Sequence, residues 1–262
     1  MPNPVVVITG ASRGIGLAVT RSLLKEHNAR VVTISRTRTP ELSQLIQEHE
    51  QSLLTLECDI TDEPALKSAI TRGKDHFGQI DGLILNAATL DPIARIDNAD
   101  ITLDDWKSYF DINFFSLVTA IRASLPGLRE SKGRIIFVSS GAATGNIYGW
   151  GAYNASKAAM NSLSRTLANE EPSIVSLALA PGRVDTAISN TAQMQAILRD
   201  AGVQHMKATD HKDFVDAYNE GALVNPHDVG YVIAALSLRA PLALTGQFVK
   251  WDNEECREFR RK

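Results

Sequence analysis

Val5-Val6-Val7-Ile8-Thr9-Gly10-Ala11-Ser12-Arg13-Gly14-Ile15-Gly16 sets a run of four β-branched residues directly before a glycine-rich turn, and a helical pattern follows to about Glu26. The apolar run reads as a buried strand, and the turn opens a helix. Glycines at positions 10, 14 and 16 let the backbone turn tightly and approach an anion closely. A helix N-terminus adds free N–H groups and a favourable dipole for negative charge. The turn fits a pyrophosphate, and Gly10, Ser12, Arg13, Gly14, Ile15 and Gly16 are its candidate contacts. The spacing is G-x-x-x-G-x-G, and a glycine turn without a ligand is the other reading.

The same alternation continues outward. Strand-like runs occur at Arg30–Ser35, Leu53–Cys58, Gly82–Leu85, Arg134–Ser139, Ile174–Leu179 and Gln247–Lys250. Helical patterns separate them at about Gly14–Glu26, Pro40–Glu50, Glu63–Phe77, Leu103–Leu128, Ala152–Asn169 and Pro226–Leu238. Continuous apolar strands alternating with helices predict a parallel sheet covered on both faces. The expected fold is α/β, a single doubly wound Rossmann-type domain over 1–262. Its seven-stranded sheet is expected to be mostly parallel. Residues 187–221 break the rhythm, mixing Met194, Ile197, Leu198, Met206, Phe214 and Tyr218 with charges. They read either as a substrate lid or as two short amphipathic surface helices.

The end of the second strand bears on the ligand. Folds of this kind that hold the ribose 2′-hydroxyl place an acid there. Here the strand ends Thr33-Ile34-Ser35-Arg36, and Arg36 stands where a 2′-phosphate is met. Arg13 reaches toward the same phosphate from the turn. Paired guanidiniums suit phosphate oxygens, so the expected cofactor is NADP(H). Two solvated surface arginines are the alternative.

Composition excludes other classes. The chain has 262 residues, 44% hydrophobic and 22% charged, with a formal net charge of −3. That is ordinary globular composition without a basic run, so neither nucleic acid nor membrane is an expected partner. The two cysteines, Cys58 and Cys256, form no disulfide framework, and the six histidines form no metal-ligand motif, so no metal is expected. The chain enters its first strand at Val5 without a charged segment and a long apolar one before it. No signal peptide is read there, and a cytoplasmic location is expected.

The chemistry-bearing residues lie further along. Tyr153 and Lys157 are four apart, on one helical face, and Ser140 stands thirteen residues before the tyrosine. A phenol with a pKa of about 10 is a weak acid–base catalyst at neutral pH, and a neighbouring cation lowers that value. A shift of three units needs about 4 kcal/mol.

With these residues in view, the chain resembles the short-chain dehydrogenase/reductase family, in the subgroup marked by TGxxxGxG and YxxxK. The motifs occur in family order. They are Thr9–Gly16, Cys58-Asp59-Ile60, Asn86-Ala87-Ala88, Asn113 in Asp111-Ile112-Asn113-Phe114, Ser139-Ser140-Gly141, Tyr153–Lys157 and Pro181-Gly182-Arg183-Val184-Asp185-Thr186. The resemblance implies that Asp59 and Ile60 border the adenine, and that Asn86 and Ala87 lie by the adenosine ribose and central sheet. Pro181, Gly182, Val184 and Thr186 fall in the motif that holds the nicotinamide carboxamide and phosphate side. Ala88 replaces the glycine more usual at that place, which bears on local loop shape.

The implied reaction is hydride transfer from the nicotinamide to a carbonyl carbon. Tyr153 is then the general acid, Ser140 a hydrogen-bonding partner of the carbonyl oxygen, and Lys157 the group that lowers the tyrosine pKa and binds the nicotinamide ribose. Asn113 is implied to hold a water that links the lysine to solvent. Read without the family, Ser140 is equally a turn cap and Asn113 a helix-kink residue.

Within the family the chain looks like the carbonyl reductases of benzil-reductase and sepiapterin-reductase type. That likeness is carried by Asp111–Ser116, Val138–Ala142, Gly149–Tyr153 and Leu244–Asp252. The expected partner is a small-molecule carbonyl substrate. Leu90, Ile147, Tyr148, Trp150, Met194 and Phe214 favour a bulky ketone or α-dicarbonyl, or are ordinary packing residues. A pterin would want an acid near the last strand. Asp252 is close, but Lys250 stands in the relevant place.

Two alternatives remain, a catalytically silent NADPH sensor and an alcohol dehydrogenase acting oxidatively. The complete set Asn113, Ser140, Tyr153 and Lys157 speaks against the first. The family's usual pairing implies a homodimer or homotetramer through the long helices. Phe110, Phe114, Phe115, Val118, Ala159 and Leu163 either serve that interface or face the sheet.

Overall fold

The computed structural model describes residues 3–185 and 205–261. Seven strands form one sheet: β1 (Val5–Thr9), β2 (Arg30–Ser35), β3 (Leu53–Glu57), β4 (Gly82–Leu85), β5 (Arg134–Val138), β6 (Val175–Ala180) and β7 (Phe248–Lys250). Their order is β3-β2-β1-β4-β5-β6-β7. The expected parallel sheet is found, and all six pairings are parallel. The helices are α1 (Gly14–Lys25), α2 (Pro40–Glu48), α3 (Glu63–Phe77), α4 (Leu103–Phe110), α5 (Ser116–Ser131), α6 (Gly151–Glu170), α7 (Ala208–Asn219) and α8 (Pro226–Arg239).

The continuous apolar strands have a direct structural cause. Side chains alternate across a strand, so β1 feeds both faces of the sheet. Val6 and Ile8 pack into one core with Leu17 and Leu23 of α1 and Val229 and Ile233 of α8. Val5 and Val7 pack into the other with Leu66 and Ile70 of α3 and Leu117 and Ile121 of α5. A strand buried on both faces favours apolar residues at successive positions.

Helix starts differ in a way that matters for the site. Thr39 caps α2 through Leu42 N at 3.3 Å, and Asp62 caps α3 through Ala65 N at 2.9 Å. Thr102 and Asp105 form a capping box on α4. Asn225 caps α8 ahead of Pro226. Helix α1 has neither a side-chain cap nor an acid in its first turn. Its N–H groups stay available, which is the condition for binding an anion.

The helix expected over Leu103–Leu128 is interrupted. Residues Asp111–Phe115 form a π-turn between α4 and α5. Such insertions rotate a helix face and occur often at functional sites. The expected lid segment falls partly on residues outside those described, including Met194, Ile197 and Leu198. Its described part contains α7, which buries Phe214 and Ala217. Among the described residues no helix is long and apolar enough to cross a membrane. Nor do any three or more His, Cys, Asp or Glu among them group to hold a metal ion.

Candidate active site

Strand order reverses between β1 and β4, because β1 connects outward to β2 while β4 starts the other half of the sheet. In open parallel sheets the crevice beyond the strand C-termini at this point receives ligands. Here it holds a cleft of about 830 Å³, within the range of small-molecule and cofactor sites. Arg13, Arg36, Asp59 and Ile60 line it from the loops after β1, β2 and β3. Ser140, Tyr153 and Lys157 line it from the end of β5 and from α6, and Pro181, Gly182 and Val184 from the loop after β6.

The glycine turn is shaped for close approach. Gly10 and Gly14 have φ of 71° and 55°, values L side chains rarely adopt. A Cβ on Gly10 would stand 2.8 Å from Ala87 Cα, and one on Gly16 would overlap the Gly10 carbonyl. Asn86 Nδ2 donates to the carbonyls of Thr9 and Gly10, both at 3.0 Å. Thr9 Oγ1 in turn accepts from Asn86 N and Ala87 N, each at 3.2 Å. The side chain of Asn86 therefore ties β4 to the turn.

Two expected site residues do not line the cleft. Gly16 sits beneath the turn, where its missing side chain admits the Gly10 carbonyl. Asn113 is fully buried behind the wall. Its Oδ1 accepts from Thr89 N at 2.8 Å and its Nδ2 donates to Thr89 O at 2.8 Å. Tyr109 OH donates to the same carbonyl at 2.8 Å. Sequence reading missed Thr89 and Tyr109. The available signal was the Tyr109–Asn113 spacing of four, which puts both on one face of a helix. Gly10, Ser12, Gly14, Ile15, Asn86 and Ala87 all line the cleft. Thr186 lies outside the described residues.

Ser140 lies just after β5 in extended conformation, and its Oγ accepts from Ala142 N at 3.1 Å, capping a short 3-10 turn. Tyr153 is buried, and burial pushes its phenol up to about 12, against an opposing hydrogen bond with Ser140. Lys157 is also buried and donates to the Val138 carbonyl at 2.8 Å. Burial brings its ammonium down to about 7. In each case burial favours the neutral form of the group.

An aromatic wall continues from the phenol. Trp150 meets Tyr153 edge-on with centroids 5.5 Å apart, and stacks on Phe214 at 5.4 Å. The indole Nε1 of Trp150 is buried and has no hydrogen-bond partner among the described residues. Leu90 and Ile147 also line the cleft, as expected. Tyr148 instead packs between the Arg95 guanidinium and the Lys207 ammonium, each 5.7 Å from its ring centroid.

A doubly wound parallel sheet, an open helix N-terminus at its switch point and a buried Tyr–Lys pair across the same cleft define a nucleotide-binding oxidoreductase type of site. A family model described as short chain dehydrogenase matches residues 4–196. An uncharacterized oxidoreductase of Schizosaccharomyces pombe is 42% identical over 248 residues, covering 94% of this chain and 96% of that protein. A benzil reductase ((S)-benzoin forming) of Saccharomyces cerevisiae is 34% identical over 259 residues, covering 95% and 96%. The crystal structure of a short-chain dehydrogenase/reductase from the same yeast superposes with a TM-score of 0.92 at 32% identity, covering 99% of this chain and all of that one. The chain belongs to the short-chain dehydrogenase/reductase family, whose members are oxidoreductases using a nicotinamide cofactor.

Proposed function

We propose that the protein is an NADPH-dependent carbonyl reductase acting on bulky ketones and α-dicarbonyls of the benzil type. The observation that carries this reading is one continuous cleft lined by the open end of α1, two arginines and the Ser140–Tyr153–Lys157 group. The likeness to a benzil reductase supports the substrate class.

The cleft fits the cofactor. A Cβ at Gly10 would fill the cradle of the turn, and the uncapped α1 N-terminus presents N–H groups to a pyrophosphate. Arg13 and Arg36, with no acid at the end of β2, suit a 2′-phosphate. Asp59 and Ile60, which line the cleft, would flank the adenine. Asn86 and Ala87 would shape the floor, Lys157 would hold the nicotinamide ribose, and Pro181, Gly182 and Val184 would hold the carboxamide side. When bound, reduced nicotinamide supplies the hydride.

The remaining work falls to side chains of this chain. Ser140 donates a hydrogen bond to the substrate carbonyl and holds its oxygen near the phenol. Tyr153 gives its proton to that oxygen as negative charge develops there. A phenol held up at about 12 is protonated at neutral pH, which is the form needed for reduction. Lys157, bonded to the Val138 carbonyl, stands beside the tyrosine to favour the phenolate that proton donation leaves. Asn113 acts as a positioning residue, fixing the Thr89 peptide at the cleft wall. Buried free cysteines support a reducing compartment such as the cytoplasm.

Steady-state kinetics with benzil, other diketones and sepiapterin, each with NADPH and NADH, test the reading. Benzil reduction with a clear NADPH advantage is expected. An NADH advantage would overturn the cofactor assignment, and no turnover of any ketone would overturn the activity.

A further inference from the structure

We infer that the physiological ketone carries a carboxylate several bonds from the reacting carbonyl, and that Arg183 receives it. This rests on the carbonyl-reductase reading above and adds a substrate class to it.

Arg183 lines the cleft from the loop after β6. Its backbone is fixed on both sides: Val224 N donates to its carbonyl at 2.8 Å, and Asp185 N donates to Val224 O at 2.8 Å. The guanidinium lies over the Phe214 ring, 4.8 Å from its centroid, and Nη1 donates to the Asp213 carbonyl at 3.1 Å. Those contacts orient the fork without neutralising it. Elsewhere Arg38, Arg95, Arg129, Arg257 and Arg261 meet carboxylates. Among the described residues no carboxylate forms an ion pair with Arg183, and its aromatic and carbonyl contacts leave N–H groups available. Lys250 and Asp252 also line the cleft, but their formal charges offset each other. Among the described residues, the β6-loop side of the cleft therefore carries a pre-oriented guanidinium that no carboxylate pairs, a group suited to bidentate carboxylate recognition.

The path from chemistry to charge sets where the carboxylate lies on the substrate. Tyr153, Trp150, Phe214 and Arg183 follow one another in steps of 5.5, 5.4 and 4.8 Å. Two aromatic side chains thus separate the phenol from the guanidinium. A 2-oxo acid is too short, since its carboxylate is bonded directly to the reacting carbon. An aryl or similarly bulky ketone lying along Trp150 and Phe214 reaches Arg183 with an acid at its far end.

The test compares benzil, 4-carboxybenzil and the methyl ester of the latter, using wild type, Arg183→Gln and Arg183→Lys. Wild type is expected to favour the acid over its ester by about tenfold in kcat/KM, and rising salt should shrink that preference. Arg183→Gln should lose at least about ten times more kcat/KM with the acid than with benzil, mainly through KM. Arg183→Lys should restore part of it. No preference for the acid over the ester in wild type overturns the inference without any variant having to fold. Equal losses with acid and benzil in Arg183→Gln also overturn it. If wild type reduces benzil but shows no charge preference, only this inference fails. If it reduces none of the three, the carbonyl-reductase reading fails with it.

Discussion

Lys157 and Tyr153 show how one environment moves two groups in opposite directions. Burial lowers the lysine from its ordinary 10.5 to about 7 and raises the phenol from 10.0 to about 12. Both shifts favour the neutral form, and their stability consequences have opposite signs. Below about pH 7 the lysine is charged whether folded or unfolded, and the cost of burying that charge is fully present. Between about 7 and 10.5 the unfolded chain binds a proton the folded one does not, so stability rises with pH. Above 10 the tyrosine opposes this, since the unfolded phenol ionises first. The Cys256 thiol, raised by burial from 9.0 to about 11, opposes the rise already above 9, so the cofactor-free protein should gain thermal stability from pH 7 toward pH 9. Lys157→Met should flatten that rise, and an unchanged slope in the variant would show that other groups cause it. At the other side of the cleft, Arg36→Ala removes one guanidinium from the phosphate subsite. Charge-assisted hydrogen bonds contribute about 1.5–3 kcal/mol, so KM for NADPH should rise at least about tenfold. KM for NADH should change little, and equal changes with both cofactors would sink the phosphate clamp.

At the scale of elements, the π-turn between α4 and α5 carries the wall of the site. It places Asn113 in the interior, where its amide satisfies both polar groups of the Thr89 peptide. Asn113→Leu would leave those groups without their partner, apart from the Tyr109 hydroxyl on the carbonyl. The Thr89 N–H alone is then left unsatisfied, at a cost of about 1–3 kcal/mol, so urea unfolding should show a loss of about that size together with weaker turnover. A loss of turnover with unchanged stability would place Asn113 in the chemistry directly. The sequence made most of these elements legible. Val5–Ile8, Arg30–Ser35 and Gly82–Leu85 are strands with the bounds or cores their β-branched and leucine runs indicate, and Pro40, Pro226 and Asp62 mark helix starts. The π-turn was not legible, because one extra residue in a turn leaves apolar periodicity almost unchanged on either side. The partner of Asn113 was hidden for a related reason. Thr89 is distant in sequence and contributes backbone atoms, which no residue pattern encodes. Gly16 looked like a ligand contact, yet its work is the packing of the turn on α1.

At the scale of the molecule, apolar side chains remain outside the two cores. Leu103 and Phe115 are 78% and 54% exposed on α4 and the adjoining π-turn. Phe114 and Phe115 pack edge to face there, with centroids 5.5 Å apart. Such surface commonly marks association, and we expect a homodimer or homotetramer through this side. Light scattering after size exclusion should give two or four times the 28.5 kDa chain mass, and Phe115→Asp should shift it toward monomer. A strict monomer for the native chain would refute the assembly.

In the proposed reaction Tyr153 donates the proton during ketone reduction in this cleft. Tyr153→Phe preserves the ring and its edge contact with Trp150 while deleting the proton. The most direct measurement is therefore benzil turnover by this variant with NADPH, alongside cofactor binding by fluorescence. The account predicts a loss of at least about a hundredfold in kcat with NADPH binding retained. Turnover close to wild type would contradict it.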